Sequence, residues 1–422
     1  MVTTVGQWTG RLACALQASA GMTNEGFADW LGIAVRTVAY WHSRPDTVPG
    51  NANQELLHTA LKRLPAGAQS RFLAGIGDPS SKPGGVNGAD VVSDAADAIS
   101  NDSLLARIGI PHDSIESMQQ DMALLARSGS IAAFDMFANA RRLRDEARAL
   151  ADRTRRPRDL THLYVLIAQG TSLMASTAFD LGRWVESTTL ARAATQYADL
   201  AGHPSLKAWT YGLRMTLANW RNEPDAALGY FERAMRVAPE GEPKMRLRHI
   251  AARSHALLND AGTVTDILAA ARRDREVAEN RPDELAATTG GEFAFGDARA
   301  AACAAAAWLD LGNGERAAAR ADEALRLFQA LPAARRSYSQ ISGANIDIAA
   351  AYLHLNDIDA ATDALSTVLD LPPHKRNVSL TGRLARITRL LSQAPWNGDA
   401  QARQLAERIA AWLPETSTRR LA

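Results

Sequence analysis

The chain has 422 residues, 46% of them hydrophobic and 22% charged, and its 47 Lys and Arg against 46 Asp and Glu leave a net charge of +1. That length exceeds one small domain, and the near-neutral balance excludes a polycationic nucleic-acid coat while leaving room for a single basic docking face. No run of about eighteen apolar residues occurs, so no membrane span is expected, and Met1 to Gly10 lacks the basic-then-apolar pattern of a signal peptide, which points to a cytoplasmic protein.

Residues 1–77 read as one compact all-helical domain. A first helix fits Thr9 to Ala20, with Leu12, Ala13, Leu16 and Ala20 at helical spacing. Thr23 then offers an N-cap for a helix that carries Phe27, Ala28 and Leu31 inward. Gly32 supplies the positive φ of a sharp corner. The next helix runs from Val35 to about His42, with Ile33, Val38 and Trp41 inward and Arg36, Thr37 and Tyr40 outward. Ser43-Arg44-Pro45 ends it, because the residue before proline avoids helical geometry. A further helix spans roughly Ala52 to Leu64, with Leu56, Leu57, Ala60, Leu61 and Leu64 on one stripe.

The segments Trp8-Thr9-Gly10-Arg11-Leu12, Met22 to Ala28, Leu31-Gly32-Ile33 and Arg36 to Trp41 together resemble the XRE-type (Cro/lambda-repressor-like) helix-turn-helix family. The likeness is greatest to actinobacterial members with a long helical C-terminal half. Two residues depart from the family pattern: Ala34 stands where a capping Ser is common, and His42 where Glu follows the tryptophan. The resemblance implies a domain that lays its second helix in the DNA major groove, with Thr23, Arg36, Thr37, Tyr40 and Arg44 at the DNA. Such domains act as dimers on pseudo-palindromic sites. The domain is only weakly basic: Arg11, Arg36, Arg44, Lys62, Arg63 and Arg71 stand against Glu25, Asp29, Asp46 and Glu55, a net of +2.

Residues 78–89, rich in Pro, Gly and Ser, read as a flexible linker. Residues 90–160 read as connecting helices, with long helical periodicity from Asp113 to about Ala151. The arginine-dense run Arg141 to Arg158 is interleaved with Asp145, Glu146, Asp152 and Asp159, as in a solvated helix face; a second contact to the DNA backbone is the alternative.

From 161 to 413 the chain repeats. Asn222, Ala227, Phe231, Ala234 and Pro239 set a pattern that Asn356, Ala361, Leu365, Val368 and Pro373 keep. Gly312, Ala317, Ala321 and Ala324 hold the first four offsets, and Gly182, Ser187, Ala191, Ala194 and Asn259, Val264, Leu268, Ala271 follow more loosely. Each unit is a helix, a turn at Gly or Asn, and a second helix of small residues; Leu380 to Leu413 adds a capping pair. The pattern resembles tetratricopeptide repeats with longer units. One hairpin cannot bury its own apolar face, so neighbours must stack into an α-solenoid. The expected fold is therefore all-α, a helix-turn-helix domain tethered to a solenoid.

Counting back from each turn by the repeat family's concave positions gives Gln169, Ser172 and Ser176, then Trp209, Thr216 and Asn219, then Arg246, His249 and Arg253, then Arg299, then His354. The expected ligand set is Trp209, Asn219, Arg246, His249, Arg253 and Arg299, suited to an anionic ligand or a peptide carboxylate; a solvated inner surface without a ligand is the alternative. Phe293 and Phe295, in the longer connection after the third unit, are expected to pack on the flank or to fold over the groove.

No metal or cofactor motif appears: the nine histidines are scattered and Cys14 and Cys303 sit among apolar neighbours. No nucleophile pairs with a base, so no catalysis is expected. The sequence thus points to a DNA-binding regulator, acting as a homodimer on double-stranded DNA, whose repeats sense a peptide or small molecule. A repeat-based interaction adaptor with a vestigial helix-turn-helix is the second reading.

Overall fold

The computed structural model describes residues 6–64, 68, 69, 72, 73, 112–129 and 131–413. The expected linker at 78–89 and the segment 90–111 lie outside these. All regular structure among the described residues is helical, and no helix is long and apolar enough to cross a membrane. The chain divides into two compact units, Met1–Ser100 and Asn101–Ala422.

The first unit holds α1 (Gly10–Ser19), α2 (Asn24–Leu31), α3 (Val35–Ser43) and α4 (Asn51–Arg63). Thr9 caps α1 and Thr23 caps α2 through their hydroxyls, satisfying amide donors that a helix start leaves open. Trp8, Leu16, Phe27, Val38 and Leu57 form the centre of the core. Trp8 is fixed twice: Gln54 accepts from its main-chain N–H at 2.8 Å and donates to its carbonyl at 2.9 Å, and its ring stacks on Phe72. Leu56, expected on the inner stripe of α4, is exposed; Leu57 and Ala60 carry the contact instead.

The second unit begins with α5 (His112–Arg127) and α6 (Ala133–Ala151). The first ends at Arg127 and the second starts at Ala133, where one long helical stretch was expected. Along α6, Arg141–Asp145, Arg142–Glu146 and Arg148–Asp152 pair one turn apart, the arrangement of a solvated helix face. Hairpins follow: α7 (Pro157–Asp180) with α8 (Trp184–Leu200), α9 (Pro204–Trp220) with α10 (Pro224–Met235), and α11 (Glu242–Leu257) with α12 (Ala261–Asn280). After a short α13 (Glu284–Thr288) come α14 (Asp297–Asp310) with α15 (Gly314–Ala330), α16 (Tyr338–His354) with α17 (Ile358–Leu369), and α18 (Val378–Leu391) with α19 (Ala400–Trp412).

Five hairpins turn in the same way. Gly182, Asn222, Asn259, Gly312 and Asn356 all take a left-handed backbone, with φ of 76, 61, 58, 71 and 61°. The amide after each reaches back to close the preceding helix, as Glu223 N does to Ala218 O and Asp357 N to Tyr352 O, both at 2.9 Å. This is the closure that a left-handed residue after a helix permits, and Gly and Asn tolerate it best. The small residues that follow each turn are wholly buried: Ala191, Ala227, Val264, Ala317 and Ala361. They let the paired helices approach closely, and a larger side chain at any of them would overpack the contact by about 1–3 kcal/mol.

The inner side of this unit is not an open trough. The last hairpin helix, α18, packs against α16 and also touches α7. Gly382 on α18 also admits the Trp220 ring of α9: a Cβ there would lie 2.8 Å from it. The connection after α12 also turns inward. Arg127 at the end of α5 donates to Thr289 O at 2.8 Å, and Gly291 lies so close to the Ala126 carbonyl that a Cβ would collide with it.

Candidate functional site

Two surfaces carry the expected site residues. In the first unit, α2 meets α3 at Gly32, whose φ of 69° makes the corner. Val38 and Trp41 bury the back of α3, Ile33 is half-buried beside them, and Arg36 and Tyr40 face solvent with Thr37 at the margin. The Arg44 guanidinium lies 5.5 Å from the centroid of the Tyr40 ring, a cation–π distance. Ala34 caps α3 without a side-chain bond. Thr23 differs from the others: its hydroxyl is occupied as the α2 cap, accepting from Gly26 N at 3.2 Å. His42 forms a 2.8 Å bond to Gln17, and Gln17 in turn holds Met22 O and Asn24 Oδ1. The histidine thus ties α3 to the α1–α2 corner.

In the second unit the inner face forms a chamber of about 250 Å³. Asn219, Arg246, Arg253 and Arg299, from α9, α11 and α14, all line it, as does Thr216. Asn219 is spent structurally: it donates to Ile250 O at 3.2 Å and accepts from Ser254 at 2.8 Å. Trp209 lies beneath, only 3% exposed, with the Phe293 ring 4.8 Å away and its Nε1 donating to Glu292 O. His249 stands apart from the chamber, against Phe295 at 5.6 Å, with Nδ1 2.9 Å from Met245 O; burial lowers its pKa. Phe293 and Phe295 are therefore neither on the flank nor over an open groove. Both are buried, Phe293 against Trp209 and Phe295 in the chamber lining. Of the positions expected from the first repeat, Gln169 is buried on Thr289 and Ser172 bonds within its own helix. His354 is exposed at the last turn of α16.

Charge is concentrated here. Arg253 donates to Asp310 at 2.9 Å, and Arg386 of α18 pairs with the same carboxylate. Arg383 pairs with Asp347 and Arg299 with Glu292. Arg253 and Arg383 both lie over the Trp220 ring, at 4.7 and 5.7 Å from its centroid. Arg246 is bound differently. Its Nη1 donates to the Trp209 carbonyl at 2.9 Å, and its guanidinium lies 4.7 Å from the same residue's ring centroid. Burial and the neighbouring Arg299 push the Arg246 pKa down to about 10. Burial pulls Arg386 down against the attraction of Asp310, and its Nη1 is buried without a hydrogen-bond partner. Burial also raises the Cys303 thiol, although the surrounding arginines pull the other way.

A wider cavity of about 780 Å³ adjoins the chamber, and Arg299, Phe328, Ser339 and Gln340 line both. Its walls include Met136, Leu173, Ser176, Leu327 and Leu331. Asp180 lies in this wall, its carboxyl raised to about 7 by burial and by Glu292.

Arg383, Arg386, Asp310, Asp347 and Trp220 are absent from the sequence-derived set. The last hairpin reads as a cap from its sequence alone, and nothing in that stretch signals that its first helix swings back onto α7. The signal that was present is the arginine pair Arg383 and Arg386, three apart on one helical face that also carries buried Leu380 and Leu384.

No protein-family model matches the chain, and no curated protein matches it. Among solved structures it is similar to BtubC (BKLC) from P. vanneervenii, with 18% identity over 56% of this chain and 90% of that chain and a TM-score of 0.37. A likeness that loose bears on neither fold nor function.

Proposed function

We propose that the chain is a sequence-specific DNA-binding transcriptional regulator of the XRE helix-turn-helix type, with a tetratricopeptide-like second unit that dimerises and takes up a peptide or small-molecule effector. The observation that carries this reading is on α3. Arg36 and Tyr40 are exposed on a short helix whose other side, Val38 and Trp41, is wholly or almost wholly buried. A helix held by its back, with an arginine on its free face, is the form a major groove accepts, and arginine bidentate to guanine O6 and N7 is the commonest specific contact. Arg36 is assigned to base reading, Thr37 and Tyr40 to bases or phosphates, and Arg44 to the backbone. Thr23 remains at the DNA-facing corner through its helix cap.

The first unit's few cations give it weak non-specific affinity, because that affinity scales with phosphate contacts. Specificity then comes from two copies on a pseudo-palindrome, their separation set by the second unit. An effector shifts that separation only by binding one arrangement better than the other.

Selection from a random DNA pool with the full chain tests the reading. Enrichment of a pseudo-palindromic motif supports it. Enrichment of no motif removes it and leaves the adaptor reading, which the missing cap at Ala34 favours.

A further inference from the structure

We infer that the second unit binds a small amphipathic organic acid, its acid group in the arginine chamber and its apolar body in the adjoining cavity. This deepens the effector part of the reading above and rests on it for its biological meaning, but not for its test.

Three observations carry it. The first is charge. Four guanidinium groups, of Arg246, Arg253, Arg299 and Arg383, line the chamber, and the carboxylates paired with them are three: Asp310, which also pairs with Arg386 outside the lining, Asp347 and Glu292. Glu242 is also near, but its carboxylate accepts from Phe295 N at 2.5 Å and burial raises its pKa. Arg246, which lines the chamber, is the cation left to a main-chain carbonyl. Uncompensated buried cations are costly unless an anion meets them. The second is space made for charge: a Cβ on Gly212 would collide with Arg246 Nη1, so the glycine is what admits the guanidinium at that depth.

The third is shape. The chamber of about 250 Å³ holds a head group, and the cavity of about 780 Å³ beside it has an apolar stretch of wall from Met136, Leu173, Leu327 and Leu331, with Asp180, Asp297 and Arg335 elsewhere in its lining. That size lies within the roughly 300–1,000 Å³ of pockets for drug-sized ligands. The inward turn of Phe293 and Phe295 and the contact of α18 with α7 close the trough that an extended peptide would need. A compact ligand with one acidic end fits both spaces.

The test uses the full chain and the fluorescent probe 8-anilinonaphthalene-1-sulfonate, an aromatic body bearing one sulfonate. On the unaltered chain, one bound probe should be displaced by decanoate at a concentration about tenfold lower than decan-1-ol requires. Displacement by both alike, or by neither, overturns the proposal. In variants that keep the wild-type circular dichroism and a cooperative melt, Arg246→Met should weaken the sulfonate probe by about tenfold or more, as loss of a charge-assisted bond does. Binding of the uncharged relative N-phenyl-1-naphthylamine should stay unchanged. Ser176→Trp, in the wall of the larger cavity, should weaken both probes. An unchanged sulfonate affinity in Arg246→Met overturns the proposal. If the probes behave as expected and no DNA motif enriches, the chamber stands and the regulator reading fails; the reverse outcome separates them the other way.

Discussion

Arg246 donates from Nη1 to the main-chain carbonyl of Trp209 at 2.9 Å while its guanidinium lies 4.7 Å from that residue's ring centroid. The two sit on successive hairpins, α11 and α9, so one side chain both joins the hairpins and sets a cation on the inner face. Gly212, one turn along α9 from Trp209, leaves the space it occupies. Gly212→Ala is expected to displace the guanidinium and to destabilise the second unit by about 1–3 kcal/mol, the usual cost of overpacking. Urea denaturation checks this; an unchanged midpoint would show that Arg246 is free to move aside.

The Asp180 carboxyl has a pKa raised from 3.8 to about 7, by burial first and then by Glu292. In the folded chain it holds its proton at pH values where the unfolded chain has lost it. Its contribution to stability is thus fully present below about pH 4 and is lost as pH rises through 7. Comparing urea unfolding at pH 5 and pH 8, the wild-type chain should lose more stability with rising pH than Asp180→Asn. Equal losses would remove Asp180 as the titrating group.

The left-handed turns give a cleaner test, because Asn222, Asn259 and Asn356 are exposed there and carry no core contact. Asn222→Ala is expected to cost about 1 kcal/mol, since alanine tolerates positive φ poorly, and Asn222→Gly to be nearly neutral. Thermal melts of the two variants should separate in that order. Coincident melts would mean that the turn relaxes to another geometry.

These turns are also where the sequence was most legible. Gly or Asn at a helix end, followed at fixed offsets by residues such as Ala227 and Ala234, encodes a local event: one strained residue, then a close helix contact. Local events leave local patterns. The positions of Arg246, Arg253 and Arg299 followed by counting back from the turns. The chamber itself was not legible, because it depends on contacts between residues far apart in the chain. Asp310 with Arg386 and Arg383 with Asp347 join different hairpins. The contacts of Phe293 with Trp209 and of Arg127 with Thr289 likewise join stretches far apart in the chain. The same holds for His42: in the sequence it is only a departure from a pattern, whereas its bond to Gln17 gives it a packing role.

The central claim is that Arg36 reads a base. The direct measurement is competitive binding of the full chain and Arg36→Ala to the selected DNA motif and to the same motif altered one base pair at a time. The wild type should discriminate at one guanine in each half-site by about 1–3 kcal/mol. Arg36→Ala should lose discrimination at that position alone while keeping it elsewhere. Discrimination unchanged at every position in Arg36→Ala would contradict the account.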